Sequence, residues 1–473
     1  MKSEAQGWFR PAFAFVAAIT GLRLLALAFN RADLFVDESQ YWLWGQNLDF
    51  GYYSKPPLIG WVIRLVTDLA GSDSPFWVRM PGAVLHGVTA LVLGAVAARL
   101  ADRSAAIWAA VLYVTLPFVV VGSLLISTDT IMAPFYALAL LFWLRAAQGG
   151  RAVDAALAGA SAGAAFLAKY AAIYLIPGLV LAMLLAPQFR IGWRNALLAA
   201  LAFGAVISPN VLWNLTHDLT TVEHTMDNVG WVRGGAVLNF ASMAEFLASQ
   251  FAVFGPIAMA ALIWGVVTAR RSVRGALAVL SLPPLVAVTV QALLSQAYAN
   301  WAVAAYFPGT VLAAMILRTI WRRVALALNL IVVVAFPLLT VLAPWPERDG
   351  EPLLRRYLGR AELSREILDL ARAEGVPVLA ANRDILADLL YTGRDSGIPI
   401  YAPRPEGRAR HYYEQNYALP EGFTARILAI QAAAPDCGAG PLAPVAAFSL
   451  SGYWSSRAVA PYLVDAECLN AAD

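Results

Sequence analysis

Two adjacent carboxylates, Asp37 and Glu38, stand in the run Asp33-Leu34-Phe35-Val36-Asp37-Glu38-Ser39-Gln40-Tyr41-Trp42-Leu43-Trp44, just beyond the first long apolar stretch of the chain. A carboxylate beside an apolar slab is poorly solvated, which suits one of the pair to accept a proton. The same residues admit a second use, as caps of an interfacial helix whose Tyr41, Trp42 and Trp44 rest at headgroup level. Farther on come Gly51-Tyr52-Tyr53-Ser54-Lys55-Pro56-Pro57-Leu58, Asp129 within Ser127-Thr128-Asp129-Thr130, and Lys169 within Leu167-Ala168-Lys169-Tyr170. Asp129 also suits a helix N-cap, and Lys55 and Lys169 suit interface anchors with apolar stems. His217, Glu223 and His224 offer nitrogen and oxygen ligands for a metal, though a solvated polar loop accounts for them more simply. Asn300 and Trp301 fit a helix start and an aromatic belt.

These groups must be positioned by membrane-embedded elements. Hydrophobic residues make up 60 % of the 473 and charged residues 14 %, against roughly 45–50 % and 25 % in soluble domains. The chain is therefore an integral membrane protein. A net charge of +3 from 34 basic and 31 acidic side chains gives no basic excess for nucleic acid. Two cysteines exclude a disulfide-rich scaffold, and GxGxxG, GK[ST] and HExxH are missing, so dinucleotide, P-loop and zincin chemistry lose their support.

Apolar stretches of about 17–25 residues, the length that spans a bilayer, run near 11–29, 81–98, 105–122, 131–147, 154–170, 171–187, 195–213, 246–268, 275–294, 300–317 and 324–343. They predict about 11 transmembrane helices, with no Gly/Pro-broken pair of the transporter kind. The first stretch has no cleavage pattern behind it and reads as a retained signal anchor. With Lys2 and Arg10 cytoplasmic, the even-numbered loops carry Arg99, Arg103, Arg145, Arg151, Arg190, Arg194, Arg270, Arg271, Arg274, Arg318, Arg322 and Arg323. The positive-inside rule then puts the polar blocks 30–80, 214–245 and 344–473 outside. The tail from Pro344 is charged and alternates helix-like stretches (351–374, 382–391) with β-like runs at 376–380, 398–401, 426–430 and 461–464, which predicts a small extracytoplasmic α/β domain. The expected division is a transmembrane catalytic domain, 1–343, and this soluble domain, 344–473. Cys437 and Cys468 both fall in it, and an oxidising compartment lets them pair, the alternative being two buried thiols.

The first-loop carboxylates, aromatic cluster and Lys-Pro-Pro resemble the first extracytoplasmic loop of GT-C membrane glycosyltransferases of the protein O-mannosyltransferase-like superfamily, which includes the lipid A aminoarabinose transferases. The resemblance continues through Ser127-Thr128-Asp129-Thr130, Leu167-Ala168-Lys169-Tyr170, the run from Pro209-Asn210-Val211 to Thr216-His217-Asp218, and Asn300-Trp301 to Ala305-Tyr306-Phe307-Pro308, over roughly the first 320 residues in order. It implies a GT-C fold and an inverting transfer of a sugar from a polyprenyl phosphate to a lipid or glycolipid acceptor, such as lipid A, on the outer face of a bacterial inner membrane. Residue by residue, it implies that Asp37 is the general base or acceptor-orienting group, that Glu38 shares its proton or orients the acceptor, and that Asp129 is a second functional acid. It places Lys55, with Tyr52 and Tyr53, at the donor phosphate, where Lys169 is a further candidate. Ser54 stands where the aminoarabinose transferases carry a glutamate associated with metal contact. No cofactor is therefore implied with certainty, and a divalent metal stays open.

The chemistry of the topology agrees. Nucleotide sugars are cytoplasmic while the polar blocks lie outside, so the donor must arrive on a lipid, and its phosphate departs without protonation once the acceptor hydroxyl is activated. A protein O-glycosyltransferase, a polysaccharide ligase and a lipid-linked transporter are the competing readings. A transporter would line a path with ionisable residues inside its spans, whereas Arg23 is nearly the only one away from a span end.

Overall fold

The computed structural model describes residues 6–229, 238–438, 440–465 and 468. Lys2 and residues 230–237 of the expected 214–245 loop lie outside the described residues. The chain divides into two compact units. One comprises the N-terminal residues to Ala28, Leu48–Ser72 and Phe76–Pro337; the other comprises Phe29–Asn47, Asp73–Pro75 and Leu338–Asp473. Contacts thus group part of the first loop with the tail.

The first unit is helical. Among the described residues seven helices are long and apolar enough to cross a membrane: Phe9–Ala28, Pro75–Leu100, Thr128–Gly149, Trp193–Thr216, Val273–Leu294, Ala299–Ile316 and Thr319–Leu342. Leu197, Leu201 and Leu212, like Ile331 and Val334, stay exposed on their helices, as an apolar face turned to lipid requires. Among the described residues the number rises to nine if each of two bent helix pairs is one span. The rest of the eleven expected stretches, 154–170 and 171–187, coincide with Ala152–Ala168 and Tyr170–Leu185, which are apolar but shorter. At 1.5 Å per residue, 17 residues reach only about 25 Å of a hydrocarbon core of about 30 Å. Ala152–Ala168 is nonetheless well packed. A Cβ on Gly159 would run into the Ala199 carbonyl, and one on Gly163 would lie 2.8 Å from Val206, so small residues let this helix press against Trp193–Thr216.

The expectation of unbroken helices is corrected at two places. The stretch 105–122 is Arg103–Thr115 and Pro117–Leu124, bent by 55°; the stretch 246–268 is Phe240–Phe254 and Pro256–Val267, bent by 115°. Each break falls at a residue before proline, where the proline ring disfavours helical backbone and its missing N–H ends the ladder. Leu116 is extended (φ −57°, ψ 142°) and Gly255 takes a positive φ of 84°. The first break frees carbonyls at the end of Arg103–Thr115, and the buried Arg23 Nη2 donates to one of them, that of Val114. Arg23 therefore caps a broken helix.

The second unit carries a four-stranded sheet in the order Ile400–Tyr401, Val378–Ala380, Arg426–Gln431, Ala460–Asp465. The first three are parallel, with Val378 opposite Ile400 and Leu428, and the last is antiparallel, with Arg426 opposite Asp465. Leu379, Ile427, Ala429, Tyr462 and Val464 form one face of its core. Helices Arg360–Glu374 and Arg383–Thr392 pack on each other, and Val36–Gln46 of the first loop packs on Arg383–Thr392. The helix expected over 351–374 begins only at Arg360, because Gly359 takes a positive φ of 82° and the residues before it form a short hairpin strand and a 3-10 turn. Its first amides are capped from far away: Asp33 Oδ2 accepts from Arg360 N at 2.8 Å and from Ala361 N at 3.4 Å. Cys437 and Cys468 are joined in a disulfide.

Candidate active-site residues

In the second unit, helix Val36–Gln46 turns Asp37 and Glu38 to different tasks. Glu38 is buried, and its Oε2 accepts from the Phe35 backbone N–H at 2.9 Å, reaching back from the third helical position to tie down the helix start. Asp37 does no capping. Its side chain is 47 % exposed, and its Oδ1 accepts from Arg383 Nη2 at 2.6 Å. Oδ2 takes no hydrogen bond among the described residues. A carboxylate with one oxygen bound and the other reachable can orient a hydroxyl and take its proton. The helix itself is held by its aromatic residues: Trp42 Nε1 donates to Asp73 Oδ1 at 2.8 Å, and Trp44 meets Tyr412 edge-on at 6.0 Å between ring centres.

In the first unit, Asp129 lies in the first turn of Thr128–Gly149, but Ser127 supplies the cap, its hydroxyl accepting from Thr130 N. The Asp129 carboxylate instead receives Lys169 Nζ on both oxygens, at 2.7 and 2.8 Å, and Asn300 Nδ2 on Oδ2 at 2.9 Å. Lys169 is the extended residue that ends Ala152–Ala168, and Asn300 opens the short helix Ala299–Ala305. Three separate stretches thus meet in one nearly buried ion pair. Lys169 commits its ammonium to Asp129 rather than leaving it as a bare cation, and Trp301 packs with Tyr298 beside Asn300.

The Gly51–Leu58 stretch is pinned down in the same unit. Tyr52 and Tyr53 are buried. The Tyr52 hydroxyl accepts from Asp49 N at 3.1 Å, its carbonyl accepts from Thr221 Oγ1 at 2.7 Å, and its N–H donates to the Lys55 carbonyl. Burial pushes the Tyr52 phenol well above its usual range, so it stays a neutral donor. Tyr53 lies 4.9 Å from the His224 ring, Asn210 Nδ2 donates to the Phe50 carbonyl at 2.6 Å, and Gly51 abuts the Trp213 ring so closely that a side chain there would collide. Lys55 is partly buried beside them.

His217 stacks on Trp213 at 4.2 Å and its Nδ1 pairs with the Trp213 carbonyl at 2.8 Å, so the imidazole packs against its own helix. Among the described residues no three His, Cys, Asp or Glu side chains gather as metal ligands, and His217, Glu223 and His224 form no such set. Arg383 and Gln40 are the residues that sequence reasoning did not single out, since no local pattern links position 383 to position 37.

A family model described as dolichyl-phosphate-mannose-protein mannosyltransferase matches residues 54–213. The chain is 40 % identical over 470 residues to the lipid A galacturonosyltransferase RgtD of Rhizobium johnstonii, covering 96 % of this chain and 98 % of that protein. In fold it is similar to ArnT from Cupriavidus metallidurans in its apo state, with a TM-score of 0.65, and bound to undecaprenyl phosphate, with a TM-score of 0.64. Both likenesses are at 15 % identity and cover 95 % of this chain and 97 % of the other. The fold is that of the GT-C membrane transferases.

Proposed function

This chain belongs to the family of membrane glycosyltransferases that includes the lipid A galacturonosyltransferase RgtD, and we propose that it moves a galacturonosyl unit from a polyprenyl-phosphate donor to lipid A. The likeness to RgtD supports the sugar and the acceptor, and the observation that carries the transfer chemistry is the Asp37 carboxylate, half-exposed, with Oδ1 bound and Oδ2 open. Oδ2 takes the proton of an acceptor hydroxyl as its oxygen attacks the anomeric carbon from the side opposite the phosphate. The C–O bond to the phosphate breaks, and the polyprenyl phosphate leaves as an anion with inversion at carbon. Lys55 neutralises that phosphate as a point charge and the hydroxyls of Tyr52 and Tyr53 donate to it. The Asp129–Lys169 pair is a second functional acid with its counter-ion. Residues 1–343 form the catalytic membrane domain and 344–473 the soluble domain. The basic even-numbered loops put the catalytic loops and the tail outside a bacterial inner membrane. Reporter fusions after Arg151, Arg194 and Arg274 should read cytoplasmic, those after Pro344 external; a cytoplasmic tail would overturn the orientation.

Purified protein, incubated with a polyprenyl-phosphate uronic acid and lipid A, should yield lipid A heavier by one uronic acid residue in mass spectra. Asp37→Asn keeps the shape and removes the charge, so it should lower turnover by roughly 10²–10⁴-fold, about 3–5 kcal/mol of barrier. Wild-type rates in that variant at saturating substrates would return Asp37 to a structural role. The mannosyltransferase description of the model matching 54–213 favours a protein hydroxyl as the alternative acceptor, and labelled protein with unmodified lipid would select it.

A further inference from the structure

Arg383 is the first residue of helix Arg383–Thr392, behind the cap Asn382, whose Oδ1 accepts from Asp384 N. A cation there faces the positive end of the helix dipole, so local helix energetics disfavour it. Its contacts lie elsewhere. Nη2 donates to Asp37 Oδ1 at 2.6 Å and to Gln40 Oε1 at 2.9 Å, while Nε donates to the same Gln40 oxygen at 3.1 Å. Gln40 is buried, and Asp37 and Gln40, three residues apart, share one face of Val36–Gln46. The neutral amide therefore fixes the guanidinium plane independently of the carboxylate, and the planar fork then selects which oxygen of Asp37 it engages.

We propose that Arg383 is a positioning residue: anchored on Gln40, it holds Oδ1 of Asp37 and so aims Oδ2 at the acceptor hydroxyl. This rests on the role given to Asp37 above. Rotation of the carboxylate about its Cβ–Cγ bond is soft, and an unheld carboxylate would sample orientations in which neither oxygen meets the hydroxyl in line with the anomeric carbon. Arg383 removes that freedom without touching substrate. Its loss should act on kcat and leave donor KM in place, because the donor phosphate is not its partner.

The test uses the full-length protein in detergent. Arg383→Gln should lower kcat by about 10- to 100-fold with donor KM within about twofold. Arg383→Lys keeps the charge but not the fork and should recover only part of the loss. Gln40→Ala should lower kcat in the same direction, because it frees the guanidinium. The double variant Asp37→Asn/Arg383→Gln should be no slower than Asp37→Asn alone, as residues acting as a unit are non-additive. A readout without turnover accompanies these: the Asp37 carboxylate band, isolated as a wild-type minus Asp37→Asn infrared difference, should move when Arg383 becomes Gln. Unchanged kcat, full rescue by lysine, a raised donor KM at normal kcat, or an unmoved carboxylate band would each overturn the inference. Wild-type protein that transfers nothing would instead sink the galacturonosyl reading, and the infrared band would still decide whether Arg383 holds Asp37.

Discussion

Lys169→Met is the perturbation that most sharply separates a counter-ion of Asp129 from a phosphate ligand. The lysine and aspartate side chains are 15 % and 10 % exposed, and Lys169 Nζ reaches both carboxylate oxygens. Removing the ammonium leaves Asp129 nearly buried with, among the described residues, only the Asn300 amide. Breaking a buried pair from one side costs about 3–5 kcal/mol, because the remaining charge has neither water nor partner. That is roughly two to four powers of ten in a folding constant. Asp129→Asn should cost less, about 1–3 kcal/mol, since the amide still offers an oxygen and the lysine stem can carry its ammonium toward water. The double variant Asp129→Asn/Lys169→Met removes both charges and should be more stable than the sum of the single losses allows. Thermal survival in detergent, followed by gel filtration of the soluble fraction, ranks the three variants. Unfolding here is expected to be irreversible, so half-lives at one temperature are compared. Lys169→Met surviving as long as wild type, with a weakened donor affinity, would refute the counter-ion account and make the ammonium a phosphate contact.

Two other perturbations act on the second unit. Asp388 is buried, and burial first, then the charge of Asp33, raises its pKa from 3.8 to about 6. Between about pH 4 and 6 the folded state holds a proton that the unfolded chain has released, so this group's contribution falls as pH rises, by up to roughly 3 kcal/mol. Asp388→Asn keeps an oxygen for the Thr392 hydroxyl and should raise stability at pH 8 and flatten the pH dependence of thermal survival; an unchanged profile would contradict it. The Cys437–Cys468 disulfide spans 31 residues of sequence, and its removal should weaken the tail by about 3–4 kcal/mol on the chain-entropy model. Thiol labelling under denaturing, non-reducing conditions should find no free thiols, and two per chain would contradict the pairing.

The sequence carried the helices and strands through local patterns. Long apolar runs marked the helices, and the β-like runs at 376–380, 398–401, 426–430 and 461–464 each fall on an observed strand. Pro117 and Pro256 were visible, but apolar residues on both sides of each disguised a break as a continuous span. The hydrogen bond by which Glu38 ties down its helix start was legible as a capping pattern, whereas the pairing of Asp37 with Arg383 was not, because the two lie 346 residues apart. The same holds for Asp33, whose carboxylate caps a helix 327 residues later. Such polar pairings depend on how strands and helices are brought together, and neither periodicity nor turn chemistry records that. Lys169 and Asp129 were each noticed separately, yet only the fold joins them into one neutral pair.

The pairing of Asp37 with Arg383 also sets a schedule for biogenesis. The helix bearing Asp37 leaves the ribosome early, and its cationic clamp follows 346 residues later. At about 5–20 residues per second of synthesis, the carboxylate waits roughly 17–70 s for that clamp. Over the same interval the Arg360–Glu374 amides that Asp33 caps do not yet exist either. A nascent or prematurely terminated chain therefore inserts its helices with this carboxylate unheld and that helix start uncapped.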